Sequence, residues 1–379
     1  MLINRRRGNG QSNTDKSRGQ AASARLMMLS VSIRGHKSHL VSAFAIAMLI
    51  ACTELDPGPV LDKSADAKVD AVTDTQAIQT TEICPPGPYA ASPFPGERVT
   101  AQVISGSTSR LYSDGLVEGP VWINDTLYLS AFSNGKVPPS TILTLQSDGS
   151  LVVAIPNAGS NGLAVDAKGM IVAATHDDGG LSRYNPFNGE RTSIVNRYNG
   201  NRLNSPNDLT IASDGTIFFT DPNWQAPSPD PQPVEGVYRV SSTGVITLVD
   251  GSISKPNGIA LSNDETWLYV GHPGGMVRYG VDADMNVTTA GTPFGSDLAE
   301  VDGLAMDCAD NIYVTQHSKG IVAVLRPDGS TIGTINVAPS LTNAAFGGPN
   351  GKTLYLTAGD PAKSDAVYSV ELEIPGRPY

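Results

Sequence analysis

Short apolar runs separated by turn residues follow one another along most of the chain, which is typical of β-strands. Six segments repeat the same order of a polar residue, an apolar run, a turn and a second apolar run. Each segment predicts a hairpin, with turns such as Asp214-Gly215 and Asn350-Gly351. Successive segments start 43, 46, 50, 45 and 41 residues apart. The starting residues are Glu118, Asn161, Asn207, Asn257, Asp302 and Asn343.

The rest of each repeat has room for a third and a fourth strand, as in VYRVS and VITLVD from Val237 onward. Four short strands per repeat predict an all-β fold, a six-bladed β-propeller with four-stranded blades around a central channel. A β-sandwich has no reason to repeat at this period, and a solenoid would need caps that the sequence lacks. The stretch VTAQVIS from Val99 is predicted to complete the last blade and close the ring.

The N-terminal region predicts export. Arg34 and Lys37 precede an apolar run over 40–51, which is too short to span a membrane but typical of a signal peptide. The run ends in Leu-Ile-Ala-Cys52, which resembles the lipobox of bacterial lipoproteins, although an ordinary signal peptide with a chance cysteine is the alternative. We therefore predict a lipoprotein signal peptide over 1–51, lipidation of Cys52, a flexible tether over 52–96 and the propeller over 97–379.

Charge and cysteine content indicate which partners and which cellular compartment suit the protein. The whole chain carries a formal charge of −11, and residues 52–379 carry −18, which argues against nucleic acid as a partner. We expect a bacterial cell-envelope lipoprotein on the periplasmic or extracellular side, touching the membrane only through Cys52. An exported chain can oxidise Cys84 and Cys308, and a disulfide between them and two unpaired thiols both remain open. With 6% aromatic residues the sequence predicts no interface patch, so we expect a monomer.

The six starting residues share one chemical property, a side-chain oxygen acceptor. Equivalent positions in the blades of a propeller lie at one height and radius, so these six residues form a ring, which we call the acceptor ring. Two carboxylates and four amides suit a hard cation, above all Ca²⁺, although Mg²⁺, Mn²⁺ or Zn²⁺ could bind too. The alternative is local turn chemistry, since Asn and Asp before Gly are common turn formers. Glu118 argues against it, because Glu is a poor turn residue.

Three histidines mark a second repeated position. His176, His272 and His317 each lie fifteen residues after an acceptor-ring residue, and Asp221 takes this place in the third repeat. A hairpin returns to the face on which it started, so these side chains are predicted to rim the ring. They would contact substrate or transfer protons, or they would be structural groups that bond loop backbone.

Several motifs between about residues 100 and 370 resemble the gluconolactonase / senescence marker protein / luciferin-regenerating enzyme-like family. They are EGPVW from Glu118, RLNSPNDL from Arg202, FTDP from Phe219, KPNGIALS from Lys255 and VDGLAMD from Val301. The resemblance implies a propeller that hydrolyses lactones such as aldonolactones. It implies metal ligands at Glu118, Asn257 and Asp302, with Asn207 as a further ligand or substrate contact and Asp302 as general base.

Two features depart from the family pattern. A Pro-rich loop follows FTDP, and Cys308 lies in a turn that is usually polar or small; the loop leaves the substrate open. The sequence therefore predicts a metal-dependent lactonase acting on a small-molecule lactone, with water attacking a cation-polarised carbonyl. Asn161, Arg202, Asn207 and the rim histidines are the predicted substrate contacts. The alternatives are a calcium-stabilised binding propeller without catalysis and a hydrolase of another ester, such as a phosphotriester.

Overall fold

The fold was described from a computed structural model that covers residues 84–108, 111–112, 115–359 and 365–377. It confirms the predicted all-β propeller: six antiparallel sheets follow one another along the chain, each with its first strand innermost. The predicted signal peptide and Cys52 lie outside the described residues. Among the described residues, no helix has the length and apolarity needed to cross a membrane.

The first three blades are regular four-stranded sheets. Blade 1 contains β3 (Gly115–Ile123), β4 (Thr126–Ser133), β5 (Ser140–Leu145) and β6 (Leu151–Ile155). Blade 2 contains β7 (Ser160–Val165), β8 (Ile171–Thr175), β9 (Gly180–Tyr184) and β10 (Arg191–Val195). A small hairpin, β11 (Arg197–Tyr198) and β12 (Asn201–Arg202), leads to blade 3. Blade 3 contains β13 (Leu209–Ile211), β14 (Ile217–Asp221), β15 (Gly236–Val240) and β16 (Ile246–Asp250).

The other three blades continue the same antiparallel order. Blade 4 contains β17 (Ile259–Leu261), β18 (Trp267–His272), β19 (Gly275–Gly280) and β20 (Thr292–Pro293). Blade 5 contains β21 (Val301–Met306), β22 (Ile312–Gln316), β23 (Ile321–Leu325) and β24 (Thr331–Asn336). Blade 6 takes β25 (Leu341–Gly347), β26 (Thr353–Ala358) and β27 (Ala366–Glu371) from the C-terminal part of the chain.

Two short strands before the first blade close the ring. β2 (Gln102–Val103) pairs antiparallel with β27 and is the fourth strand of blade 6, as predicted for this stretch. β1 (Val99–Thr100) pairs in parallel with β24 and adds a fifth strand to blade 5, which the sequence did not predict. The N-terminal segment therefore joins the last two blades, so unravelling one blade must break contacts in another.

The hydrophobic core lies between the blades. Six clusters of buried apolar side chains correspond to the six junctions between neighbouring blades. At the junction of blades 3 and 4, for example, Phe218 and Val237 pack with Ile259 and Leu268. Burial of this apolar surface holds the blades in place at about 25 cal/mol per Å². It leaves the polar acceptor-ring residues to line the channel.

Residues 84–96, the end of the segment predicted as a tether, are tied to the propeller at several points. Cys84 is joined to Cys308 by a disulfide across 224 residues of sequence. Phe94 packs on the blade 5 and blade 6 cluster, and the carbonyl of Pro93 accepts a hydrogen bond from the Glu373 N–H. Cys308 lies in the turn between β21 and β22.

We expect Cys84→Ser to destabilise the oxidised protein. A cross-link over so long a loop restricts the unfolded chain, so its loss should cost about 2–4 kcal/mol. Urea unfolding with and without reductant measures this difference, because reduction should bring the wild type to the level of the variant and leave Cys84→Ser unchanged. Equal unfolding midpoints of the oxidised wild type and the variant would contradict the expectation.

Candidate functional site

The six acceptor-ring residues lie at or just before the innermost strand of their blades. In four blades the antiparallel register shifts next to them, at Glu118, beside Asn161, beside Asp302 and at Asn343. Such an irregularity turns a side chain out of the regular alternation and is common beside functional sites. In blades 3 and 4 the regular ladder starts two residues after the ring residue, at Leu209 and Ile259.

Hydrogen bonds between blades hold the ring together. Gly162 N–H donates to the Asn207 carbonyl at 2.7 Å, and Gly258 N–H donates to the Asp302 carbonyl at 2.9 Å. The Thr220 hydroxyl donates to the Asn257 carbonyl at 2.7 Å, which connects blades 3 and 4 in the same way. Since these bonds involve the ring residues' own backbone, they fix the height of neighbouring ring side chains relative to each other.

Small residues after the ring residues allow this close approach. Four of the six ring residues are followed by glycine. A Cβ at Gly258 would overlap the carbonyl oxygen of Asp302, and one at Gly303 would overlap the Asn343 side chain. The Asn-Gly and Asp-Gly pairs of the repeats therefore bring the inner strands together at the channel. Turn formation alone does not explain them, because Asn161 and Asp302 lie within their strands, β7 and β21, rather than in turns.

The two ring carboxylates lie close together in the channel. Glu118 is 5% exposed, and the Asp302 side chain is 13% exposed. Asp302 is within hydrogen-bond reach of Glu118, Asn257 and His317. Burial, then the charges of Asp302 and Asp208, raises the pKa of Glu118 well above its ordinary value. Burial also raises the pKa of Asp302, and His317 counteracts part of this rise.

The charge of this pair is poorly compensated by protein groups. Within the described ranges, neither Glu118 nor Asp302 forms an ion pair with Lys or Arg. Of these two carboxylates, Asp302 alone contacts His317. Buried charges are costly unless they are paired, protonated or bound to a cation. The described part of the chain holds no group of three or more His, Cys, Asp or Glu side chains suited to a metal ion. A cation here would therefore need amide oxygens, which Asn257 and Asn207 can supply and which Ca²⁺ accepts.

The remaining ring amides differ in their surroundings. Asn343 donates through Nδ2 to Glu118 Oε2 at 3.0 Å, so its amide is already engaged by a neighbouring carboxylate. Asn161 Nδ2 lies 3.2 Å from His176 Nε2, and its Oδ1 has no hydrogen-bond partner among the described residues. Asn207 is 8% exposed and is placed by its backbone carbonyl, as described above.

Sequence reasoning missed one carboxylate at the site, Asp208. It follows Asn207, is 6% exposed and lines the small channel cavity below the ring together with Pro120, Leu163 and Asn343. Burial raises its pKa to about 7. The sequence does contain a signal for it. The equivalent position is Gly in four blades and Ala344 in the sixth, so an acidic residue in the third repeat breaks the pattern.

The three rim histidines have three different environments. His176 is fully buried, contacts Asn161 and packs edge-on against Phe132 at 5.3 Å between ring centroids. His272 accepts a hydrogen bond from Gly274 N–H at 3.2 Å, so one ring nitrogen is used by its own loop. Only His317 contacts a ring carboxylate, with Nδ1 3.1 Å from Asp302 Oδ2. Its hydrogen bond to Asp302 raises the pKa of His317 above its ordinary value.

His176 should stay neutral across the physiological range. Burial, with a smaller effect of the Arg202 charge, lowers its pKa to about 3. The folded protein thus binds fewer protons than the unfolded chain below pH 6.5, and the contribution of His176 to stability is lost as pH falls from there toward 3. We expect imidazole NMR shifts of His176 to stay constant between pH 5 and 8. A His176 that titrates in this range would contradict the assigned environment, whereas His317 should titrate above the ordinary pKa of histidine.

Arg202 and Asp221 are engaged with backbone groups. The Arg202 guanidinium donates to the carbonyls of Leu203, Asn204 and His176, and so braces the segment between β12 and the blade 3 ring residue. Asp221 is fully buried and accepts a hydrogen bond from Asn204 N–H at 2.9 Å. Burial raises the pKa of Asp221 to about 8.

Two loops meet on the face of the propeller where the inner strands begin. The Pro-rich loop 222–235 of blade 3 reaches the loop 134–139 of blade 1; we call this contact the blade 1–3 bridge. Lys136 Nζ donates to the carbonyls of Asn223 and Trp224 at 3.1 and 3.2 Å, and Val137 N–H donates to the Gln225 carbonyl at 2.8 Å.

The bridge also reaches the edge of the ring. Lys255, two residues before Asn257, bonds to Asn223, pairs with Glu235 at 3.3 Å and lies over the Trp224 ring at 5.3 Å. Gln225 is buried beneath this contact, and its Oε1 has no partner among the described residues. The Pro-rich loop, which departs from the family pattern, therefore forms part of the channel mouth.

Comparisons with known proteins agree with this architecture. The chain is 31% identical to the gluconolactonase of Zymomonas mobilis over 276 residues, which is 64% of this chain and 75% of that protein. It is 33% identical to the lactonase drp35 of Staphylococcus epidermidis over 138 residues, 34% of this chain and 40% of the relative. The solved structure of a gluconolactonase from Xanthomonas campestris superposes with a TM-score of 0.59 at 27% identity, covering 77% of this chain and 99% of that one.

A family profile matches most of the propeller as well. Residues 116–360 match the SMP-30/Gluconolactonase/LRE-like region, from the strand that carries Glu118 to two residues beyond β26. This range contains all six acceptor-ring residues and the three rim histidines. Since it comprises more than half of the chain, the protein belongs to the SMP-30/gluconolactonase/LRE-like family.

Proposed function

We propose that this protein is a lactonase that opens polyhydroxylated lactones of the aldonolactone type and depends on a divalent cation. Family membership and the gluconolactonases named above support lactone hydrolysis. The observation that carries cation dependence is the pair of buried carboxylates, Glu118 and Asp302, within hydrogen-bond reach of each other and without Lys or Arg partners among the described residues.

Glu118, Asn257 and Asp302 would hold the cation, with Asn207 as a further ligand. All four present oxygen, two of them charged, which fits Ca²⁺ better than a softer metal. When bound, the cation would polarise the lactone carbonyl and stabilise negative charge on its oxygen. Asp302 would accept the proton of the attacking water, and His317, at 3.1 Å from it, would orient that carboxylate.

The ring and its rim also supply acceptors for substrate hydroxyl groups. Asn161 Oδ1 and Gln225 Oε1 are buried acceptors without protein donors in the described structure. Both atoms are shielded from solvent in this conformation, so a substrate hydroxyl would pair with them only if the Asn161 or Gln225 side chain turns toward the channel. The preference for an aldonolactone therefore rests on family membership and on the gluconolactonases named above.

A panel of lactones and esters tests the proposal. The purified full chain should hydrolyse an aldonolactone, lose activity in chelator and recover it with Ca²⁺. Cation binding without turnover of any lactone would indicate a binding propeller. Turnover of a phosphotriester in preference to every lactone would indicate a different esterase. Full lactonase activity in excess chelator would remove the cation from the proposal.

We expect Lys136→Met to raise KM for an aldonolactone about 3- to 10-fold with little change in kcat. Lys136 contributes two of the hydrogen bonds of the blade 1–3 bridge, and the bridge positions Gln225 without touching Asp302. Loss of such loop-ordering contacts costs about 0.5–1.5 kcal/mol each. Lys168→Met, in an exposed turn of blade 2, is the control. A fall in kcat with unchanged KM would contradict a role in binding.

We also propose that the chain is exported and anchored by acylation of Cys52. The signal-like run and the lipobox resemblance support this, and the Cys84–Cys308 disulfide fits an oxidising compartment. Labelling cells with a clickable palmitate should mark the wild type and leave Cys52→Ala unmarked. Membrane fractionation should follow the label, and a labelled Cys52→Ala would refute the assignment.

A further inference from the structure

The layer of the channel just below the acceptor ring contains one polar side chain. The residue that follows each ring residue is small in five blades and acidic in the third. Asp208 fills this layer, since a Cβ at Gly162 of the neighbouring blade would overlap its carboxylate. The residues of the layer are Gly119, Gly162, Asp208, Gly258, Gly303 and Ala344.

Asp208 bonds across the channel. It belongs to blade 3, and Asn343 belongs to blade 6, which is the opposite blade of a six-bladed ring. Asn343 Nδ2 lies 3.3 Å from Asp208 Oδ2 and 3.0 Å from Glu118 Oε2, so one amide group donates to both carboxylates. Asn343 Oδ1 accepts from Ala344 N–H at 2.8 Å, which fixes the orientation of the amide.

We propose that Asp208 is a positioning residue that acts through Asn343 on Glu118. This rests on the proposed function, in which Glu118 binds the cation. Glu118 Oε2 accepts hydrogen bonds from the Asn343 amide and from Gly119 N–H at 2.8 Å. Oε1 is therefore the oxygen that would bind the cation. Asp208 keeps the NH₂ group of Asn343 directed at Glu118 Oε2, and this orients Glu118 Oε1 toward the proposed cation.

An amide at position 208 cannot do the same. Asp208 accepts hydrogen bonds on both oxygens, from Leu209 N–H at 2.9 Å on Oδ1 and from Asn343 on Oδ2. In Asp208→Asn one of these acceptors becomes an NH₂ group, and if the Leu209 bond is kept, two NH₂ groups face each other. Asn343 must then turn or leave Glu118, although the volume of the side chain hardly changes.

A double-mutant cycle read out by Ca²⁺ binding tests the inference. Calorimetric titration of the full chain with Ca²⁺ should show about 10- to 100-fold weaker binding for Asp208→Asn, as for other residues that orient metal ligands. Asn343→Ala should weaken Ca²⁺ binding similarly. The double variant should bind Ca²⁺ no more weakly than whichever single variant has the lower affinity. Asp221→Asn is the control, since Asp221 is equally buried in blade 3 but bonds to Asn204 N–H; its Ca²⁺ affinity should match the wild type.

Each outcome decides between the two claims. Wild-type Ca²⁺ affinity in Asp208→Asn, or losses that multiply in the double variant, would overturn the positioning role alone. No Ca²⁺ binding by the wild type would overturn the proposed cation site, and the inference with it. If Asp208→Asn does not fold, the cycle is run with Asp208→Ser, and Asn343→Ala alone must still weaken Ca²⁺ binding for the inference to stand.

Discussion

Asp302→Asn is expected to lower kcat for an aldonolactone by about a thousandfold at saturating Ca²⁺. Removal of a positioned general base costs about 10²–10⁴ in rate, and the amide has no lone pair basic enough to take a proton from water. Asp302 is within hydrogen-bond reach of Glu118, Asn257 and His317, so its carboxylate is held in place at the ring. Turnover is measured by the acid released on ring opening, over a range of Ca²⁺ concentrations.

The Ca²⁺ titration separates the two roles assigned to Asp302. If the residue were a ligand only, high Ca²⁺ would restore kcat; if it is also the base, kcat should stay low when the site is full. His317→Gln is the matched variant, because Gln can still donate to Asp302 but cannot titrate. It should cost about 3- to 10-fold, because a neutral amide makes a weaker hydrogen bond to the Asp302 carboxylate than a protonated imidazole does. Normal turnover by Asp302→Asn would exclude this residue as the base.

The parts of the fold that repeat were predictable from the sequence. Each blade must return its polar ring residue to the same height, so the same local pattern recurs six times and the ring follows from the spacing. Strand β1 has no such pattern, because its two residues pair in parallel with β24, which is more than 200 residues away. Its position depends on ring closure and could not be found from neighbouring residues.

Side-chain roles at the site were less predictable than positions. The spacing of fifteen residues brought all three histidines to one face, but their environments depend on loops from other blades. Phe132 encloses His176, whereas Asp302 faces His317. Asp208 was missed because the repeats were compared at their leading residues, and its partner Asn343 lies in the opposite blade. Contacts across the channel leave no periodic signal in the sequence.

Glu118→Gln is expected to have opposite effects on the cation-free and the Ca²⁺-loaded protein. Glutamine keeps an acceptor for Asn343 and Gly119 N–H but removes one of the two buried carboxylates. Without cation, loss of this uncompensated charge should raise Tm by about 2 °C, which corresponds to roughly 1 kcal/mol for a domain of this size. With Ca²⁺ in excess, the wild type should gain about 3 kcal/mol at a hundred times Kd, and the variant should gain almost nothing.

The pH dependence provides a second, independent readout. Because burial and the neighbouring carboxylates raise the pKa of Glu118, the folded cation-free protein holds a proton that the unfolded chain releases above pH 4.5. The wild type without cation should therefore lose stability as pH rises through the folded pKa of Glu118, and Glu118→Gln should lose less. The advantage of the variant in chelator should grow as pH rises above 4.5 and level off once Glu118 is ionised in the folded protein, as measured by thermal unfolding. Glu371→Gln, an exposed carboxylate on β27, should show neither effect. If Glu118→Gln keeps the full Ca²⁺-dependent rise in Tm, the cation binds elsewhere. If its Tm in chelator is lower than that of the wild type, the two carboxylates do not destabilise each other.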